Sequence, residues 1–323
     1  MKVNSKTLQS VKEDLLNIEQ TLNKLIKVNN PILSAAAKHL LIVESKKIRP
    51  AIVLLVAKAI DKNKKIKTSQ QRLAEVTEII HTATLLHDDV VDESIIRRGT
   101  KSVNKTFGNK IAVFAGDFLF AQSSWYLANI NNLEVVKAIS KVITDLAEGE
   151  LQQNLTQFNT YYSIIKYLEK SFNKTASLIA ASCKSCCLLS DFDQSLNSKF
   201  YNYGKNLGLA FQIIDDILDI TSSSTALGKM TTSDLKLGNL TAPVLFALTK
   251  NSKLFKIIER EFCEKSDISE AINIIKETNA IEESFDLAYE HIEAAINSIK
   301  DLPTSSEKDS LIEIAYDLLN RYK

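Results

Sequence analysis

A chain of 323 residues with 40 Lys plus Arg against 39 Asp plus Glu carries a formal charge of +1, so no overall field draws it to nucleic acid or an anionic membrane. Hydrophobic residues at 45% and charged residues at 24% suit a globular protein with a substantial core and exclude a disordered chain. Eight Gly and four Pro leave few turn-formers, so the expected class is all-α: long helices, short connections and one domain over 1–323.

In chain order, apolar residues recur at three- and four-residue spacing over 8–28, 32–43, 51–60, 70–92, 110–128, 133–154 and 162–170. The same spacing continues over 173–189, 195–220, 242–250, 266–277, 281–299 and 306–322, and each segment is predicted to be a helix. Segments 61–69, 93–109, 221–240 and 300–305 read as compact loops. All eight glycines lie between Gly99 and Gly238, which places the unusual backbone turns in the middle of the chain. The first residues mix early acids with alternating charge, unlike a signal or transit peptide, so no targeting segment is expected. No apolar run reaches the roughly 18 residues of a membrane span, which leaves peripheral attachment at most. Cys183, Cys186 and Cys187 crowd together instead of spreading into a disulfide framework, and they read as small core packing in a reducing compartment. Cytoplasm, or plastid stroma if organelle-encoded, fits that usage and the Lys, Asn and Ile bias.

One short pattern occurs twice. Asp-Asp-x-x-Asp appears as Asp88, Asp89 and Asp92 in HTATLLHDDVVDES, and as Asp215, Asp216 and Asp219 in GLAFQIIDDILDITSS. In a helix the first and last Asp differ by about 40° around the axis and about 6 Å along it, so they share a face. Like charges held together on an apolar helix call for a cation, and hard carboxylate oxygens suit Mg²⁺. A lone copy fits a solvated acidic helix end equally well. Two copies, each followed by cations (Arg97 and Arg98, then Lys229 and Lys236), point to a metal-diphosphate site. A third basic cluster, Lys46, Lys47 and Arg49, opens the apolar run AIVLLVAKA, where cations make sense with an anion held at the helix start.

These elements together resemble the trans-polyprenyl diphosphate synthase family over about residues 40–250. The family's GKRIRP reads SKKIRP here, its HTASLIHDDVVDESxxRRG reads HTATLLHDDVVDESIIRRGT, and its FQIIDDILD followed by GK and DLxxGxxTxP reads FQIIDDILDITSSSTALGKMTTSDLKLGNLTAP. The GNLTAPVLFAL wording is most similar to long-chain synthases of the solanesyl type. The resemblance implies an isoprenoid synthase-like bundle of mostly antiparallel helices around a central cavity, acting as a homodimer. It also implies a Mg²⁺-dependent prenyltransferase that adds isopentenyl diphosphate repeatedly to an allylic diphosphate, giving a long all-trans chain for a quinone side chain. Lys46, Arg49, His81 and Arg98 would hold isopentenyl diphosphate. Arg97, Lys174, Thr175, Gln212 and Lys229 would contact the allylic diphosphate, and Asp88, Asp92, Asp215 and Asp219 would hold Mg²⁺. The catalytic set is then Asp88, Asp92, Arg97, Lys174, Asp215 and Lys229. His81 fits geometrically, since seven residues before Asp88 is about 20° from the same face.

Ala83 and Thr84 lie one to two turns before Asp88, and their small size implies a long product, although small residues there also serve close helix packing. Three positions depart from the family pattern: Ser45, Lys47 and Asn239, the last of which removes a cation near the second motif, so that Asn239 is left out of the site. Three other activities share parts of this pattern. A shorter-chain geranylgeranyl diphosphate synthase differs in product length, and a terpene cyclase would not need Lys46, Arg49 and Arg98. A non-catalytic subunit of a heteromeric prenyltransferase would have lost part of one aspartate motif, and both are intact here.

Overall fold

The computed structural model describes residues 7–25, 29–42, 47–61, 63–190, 194–222 and 232–321. In chain order the helices are α1 (Lys12–Leu25), α2 (Pro31–Ile42), α3 (Ile48–Ile60), α4 (Thr68–Val91), α5 (Val103–Phe107), α6 (Asn109–Ala128), α7 (Leu133–Leu155), α8 (Ile164–Ser171) and α9 (Ser177–Leu188). They continue as α10 (Ser195–Thr221), α11 (Ser233–Lys236), α12 (Ala242–Leu248), α13 (Ser252–Glu259), α14 (Asp267–Glu277), α15 (Ala280–Ser298) and α16 (Ser306–Leu319). The strands among the described residues are one antiparallel pair, β1 (Ile96–Arg97) and β2 (Thr100–Lys101). The class is all-α, as expected. No helix among the described residues is long and apolar enough to cross a membrane.

The chain gathers into two compact units, one formed by Met1–Ile143, Leu178–Tyr201 and Ile299–Ile314 and the other by Thr144–Ser177, Asn202–Ser298 and Ala315–Lys323. In the first, α3 is apolar nearly all round and is buried from Pro50 to Ala57, as befits a central helix. Pro50 sits in its first turn, where a missing N–H has no helical partner to lose. α4 packs against α3 and α6 through Leu73, Val76, Ile79, Ile80, Ala83 and Leu86, all without solvent exposure. Gln70 of its first turn takes the Lys67 backbone N–H at 2.9 Å and donates to the Cys186 carbonyl at 3.2 Å, so one side chain caps α4 and ties it to α9. Cys183, Cys186 and Cys187 are buried free thiols, and burial pushes Cys187 up to about 12. Their role as packing is what burial of this kind supports.

In the second unit, α12 packs on α13, α14 and α15 around Val244, Leu254, Ile258, Ile275, Ala288 and Ile292. Helix α13 falls in a stretch left without a predicted element. Its signal was present, because Asn251 caps it by accepting from the Lys253 N–H at 2.9 Å, and Leu254, Ile257 and Ile258 share its buried face. Helices α5 and α11 and the strand pair lie inside predicted loops, since elements of two to five residues carry no readable period. The predicted helix ends at 26–28, 43 and 322 lie outside the described residues.

One buried carboxyl in the first unit makes stability depend on pH. Glu75 on α4 is 2% exposed and lies 2.6 Å from the Arg72 guanidinium, which stacks over the Tyr126 ring of α6. Burial outweighs Arg72 and pushes the Glu75 carboxyl up to about 7. A carboxyl whose folded pKa exceeds its unfolded value binds protons more tightly when folded, so its stabilisation is lost as pH rises from about 4.5 to about 7. Glu75→Gln should remove that component. Urea unfolding midpoints at about pH 5 and pH 8 should show wild type losing on the order of 2 kcal/mol more than the variant over this interval. Equal losses would place Glu75 in water.

Candidate active site

α4 carries the first aspartate motif to its end. Asp88 lies in its last turn and Asp92 just past it, where the Asp92 N–H still donates to the Asp88 carbonyl at 2.8 Å. Both are half-buried, while Asp89 between them faces inward and is fully buried. A buried carboxylate needs a partner, and Asp89 has one in Arg97, whose Nε donates to its Oδ1 at 2.8 Å. Arg97 belongs to β1, and the two residues joining β1 to β2 are Arg98 and Gly99, with φ of 51° and 75°. Two successive left-handed residues are the pattern of a type I′ hairpin turn, which glycine takes without strain at the second place. The turn separates adjacent guanidinium groups: Arg97 is held by Asp89, and Arg98 donates to the Leu40 carbonyl at 3.1 Å.

Arg98 then joins the basic cluster. Arg49, in the first turn of α3, donates from Nη1 to Nε2 of His81 at 3.0 Å. A guanidinium has no acceptor, so Nε2 carries no proton and His81 is the neutral Nδ1–H tautomer. Burial, then Arg49, Arg98 and Arg97, hold the imidazole well below its ordinary pKa. Glu78, one turn before His81 on α4 and 2% exposed, is the counter-charge of the cluster. Burial pushes its carboxyl up, against the pull of Arg98, Arg49 and Lys47. Lys47 adopts φ 45° at the start of α3 and pairs with Glu19 at 2.8 Å, so its ammonium is already partnered. Ala83 is fully enclosed, and half-buried Thr84 donates to the His81 carbonyl at 2.8 Å.

The second unit holds the other predicted residues that are described. Lys174 and Thr175 sit in a single π turn, Phe172–Ala176, between α8 and α9, an irregularity that often marks functional positions. Lys174 Nζ is 2.7 Å from Glu150 Oε2 and donates to Gln153 Oε1 at 3.1 Å. Thr175 Oγ1 donates to Gln212 Oε1 at 2.6 Å, and Gln212 Nε2 donates to Asp216 Oδ1 at 2.7 Å. The π turn can lie this close to α10 because of Gly208, where a Cβ would stand 2.5 Å from the Ala176 Cα. Asp216 also accepts from the Tyr167 hydroxyl at 2.6 Å; burial, then Asp234, push its carboxyl above the ordinary carboxylate range. A small cleft is lined by Lys170, Lys174, Gln153, Gln212, Asp216 and Asn239. Asn239, left outside the site on sequence grounds, thus lines the same cleft as Lys174 and Gln212, whereas Lys236 is exposed on α11.

The outer aspartates of the second motif differ. Asp215 pairs with Arg321 at 2.6 Å, and that guanidinium lies over the Phe211 ring. Asp219 accepts from the Ser233 hydroxyl at 3.1 Å and the Asp234 N–H at 3.2 Å, fastening the start of α11. Lys46 and Lys229 lie outside the described residues. No three His, Cys, Asp or Glu side chains converge as a metal group among the described residues. The donor chemistry still suits a hard divalent cation. Asp88 and Asp92 offer half-buried carboxylates about one turn apart, and Asp215 already meets one positive charge. Glu78, Tyr167 and Lys170 were not anticipated, although Glu78 precedes His81 by three residues and so shares its helix face.

A profile of the polyprenyl synthetase family matches residues 30–275. A prenyl transferase of Cyanophora paradoxa is 55% identical over 314 residues, 97% of each chain. The chloroplastic solanesyl diphosphate synthase 1 of Arabidopsis thaliana is 45% identical over 311 residues, 95% of this chain and 77% of its own. The crystal structure of a Caulobacter crescentus polyprenyl synthase, complexed with calcium and isoprenyl diphosphate, matches with a TM-score of 0.92 at 29% identity and covers 100% of both chains. By this match and these identities the chain belongs to the polyprenyl synthetase family, among the long-chain polyprenyl diphosphate synthases, and is a prenyltransferase.

Proposed function

We propose that the chain, as one prenyltransferase domain over 1–323, adds isopentenyl diphosphate repeatedly to an allylic diphosphate in a Mg²⁺-dependent reaction. The product is a long all-trans polyprenyl diphosphate of the kind used as a quinone side chain. The observation that carries this reading is the half-buried cluster of Arg49, neutral His81 and Arg98 on and beside the helix that ends in Asp88 and Asp92. Such a cluster suits a diphosphate, because guanidinium forks match oxygen pairs and a neutral imidazole adds a hydrogen bond without further repulsion.

In this reading Lys46, Arg49, His81 and Arg98 hold isopentenyl diphosphate, and Lys174, Thr175, Gln212 and Lys229 hold the allylic diphosphate. Arg97 shares its guanidinium with Asp89, so only its remaining N–H groups serve an anion. Asp88, Asp92, Asp215 and Asp219 would hold Mg²⁺, which supplies positive charge to the leaving diphosphate. The cations of the site stabilise the charge that develops as the allylic C–O bond ionises. The double bond of isopentenyl diphosphate, held alongside, then attacks the allylic carbon, and proton loss to the released diphosphate completes one addition. Exposed Phe114 and Trp125 on α6 and Leu133 at the start of α7 support a homodimer, since such a surface suits a second copy. A geranylgeranyl-length product is the competing outcome, and chromatography of dephosphorylated products decides between them.

Asp88→Ala and Asp215→Ala should each abolish Mg²⁺-dependent turnover while circular dichroism stays helical. Near-normal turnover in either would remove that residue from the metal set.

Arg98→Ala should raise KM for isopentenyl diphosphate roughly tenfold or more, because a charge-assisted hydrogen bond is worth about 1.5–3 kcal/mol. KM for the allylic substrate should change little. A larger effect on the allylic substrate would reverse the assignment.

Ala83→Phe should shorten the product while the first additions continue. Ala83 is fully enclosed, so the ring should also lower stability by about 1–3 kcal/mol, and Thr84→Phe at the half-buried neighbour is the companion test. Folded, active variants that both keep the wild-type product length would show that the chain does not grow past these positions.

A further inference from the structure

The two adjacent aspartates of the second motif are committed differently. Asp215 is partly exposed and faces Arg321, whereas Asp216 is 4% exposed and spends both oxygens on neutral donors of its own unit. Its Oδ2 accepts from the Tyr167 hydroxyl at 2.6 Å and its Oδ1 from Gln212 Nε2 at 2.7 Å. Gln212 in turn accepts at Oε1 from Thr175 Oγ1 at 2.6 Å. Four side chains from α8, α10 and the π turn therefore form one hydrogen-bonded chain, Tyr167–Asp216–Gln212–Thr175.

A carboxamide has two nearly isosteric ends, and its neighbours decide which end faces where. A carboxylate oxygen at 2.7 Å selects the Gln212 nitrogen, and the Thr175 hydroxyl takes the carbonyl. Gln212 is left with its second N–H as what it can offer the cleft that it lines with Lys170 and Lys174. With the amide reversed, a carbonyl oxygen would meet an incoming anion and repel it.

We infer that Asp216, anchored by Tyr167, is a positioning residue that fixes Gln212 as a hydrogen-bond donor toward the allylic diphosphate. This rests on the reading that the cleft takes that diphosphate. Asp216 and Tyr167 act through Gln212, so their removal is felt only while Gln212 is present.

The test is a pair of double-mutant cycles on the full chain: Tyr167→Phe, Asp216→Asn and Gln212→Ala singly, and each of the first two combined with Gln212→Ala. Two readouts are needed: KM for farnesyl and isopentenyl diphosphates, and calorimetric binding of the unreactive thiolo analogue of farnesyl diphosphate. Tyr167→Phe should weaken the analogue and raise KM for farnesyl diphosphate roughly tenfold, leave KM for isopentenyl diphosphate unchanged, and add nothing to Gln212→Ala. Asp216→Asn should do the same, and whichever of the two folds with a near wild-type melting temperature suffices. Effects that multiply with Gln212→Ala, or weaken both substrates alike, or leave analogue binding untouched, would overturn the inference. Wild type separates the two levels: if it elongates farnesyl diphosphate while the variants behave independently, only the positioning role falls. A wild type that neither elongates farnesyl diphosphate nor binds the analogue removes the reading beneath it.

Discussion

A carboxylate set into an apolar helix persists only where a cation or a group of donors meets it. Each unit answers that demand with its own residues. In the first, Asp89 is met by Arg97, and Glu78 lies among Arg49, Arg98 and Lys47. In the second, Asp215 is met by Arg321, and Asp216 by Tyr167 and Gln212 with Lys170 as the facing charge.

The local architecture follows from these pairings. Because Asp89 points inward and holds Arg97, the hairpin is docked to the end of α4, and its tight turn sends Arg98 elsewhere. Because Asp219 spends its oxygens on Ser233 and Asp234, the chain beyond α10 is drawn back to the helix, and Asn239 comes to line the cleft. Polar groups that hold structure and polar groups that can meet a ligand are thus neighbours in sequence, often adjacent residues. An Asp-Asp pair on a helix divides its labour simply because successive side chains point about 100° apart.

That geometry also explains what the sequence disclosed. The helices were legible because scarce glycine and proline left their period uninterrupted, and the boundaries of α6, α7 and α10 fall within a residue of the expected ones. The shared face of Asp88 and Asp92 followed from helical arithmetic. The partner of Asp215 did not, since Arg321 stands far along the chain with no local pattern to announce it. Glu78 was readable as a neighbour of His81 on one face, but its burial among cations depends on where α3 and the hairpin pack. Asn239 was set aside for lacking charge, whereas its position is fixed by hydrogen bonds to Asp234. Side-chain chemistry near a helix was accessible; pairings made by tertiary packing were not.

The contact of Gly208 with Ala176 has a bearing on how this part of the molecule can vary. Here the backbone of α10 meets the π turn directly, with the Ala176 Cα and its methyl as the facing atoms. The gap between Gln212, one turn along, and Thr175, next in sequence to Ala176, is therefore gauged by a glycine on one side and a single methyl on the other. Substitutions in the surrounding core can exchange one apolar shape for another without changing that gauge, because it is set by Gly208 and Ala176, neither of which can be enlarged without forcing the two elements apart. Descendants of this sequence are free to drift in the lining that a hydrocarbon tail would meet, while the span that would face a diphosphate is inherited as a fixed length.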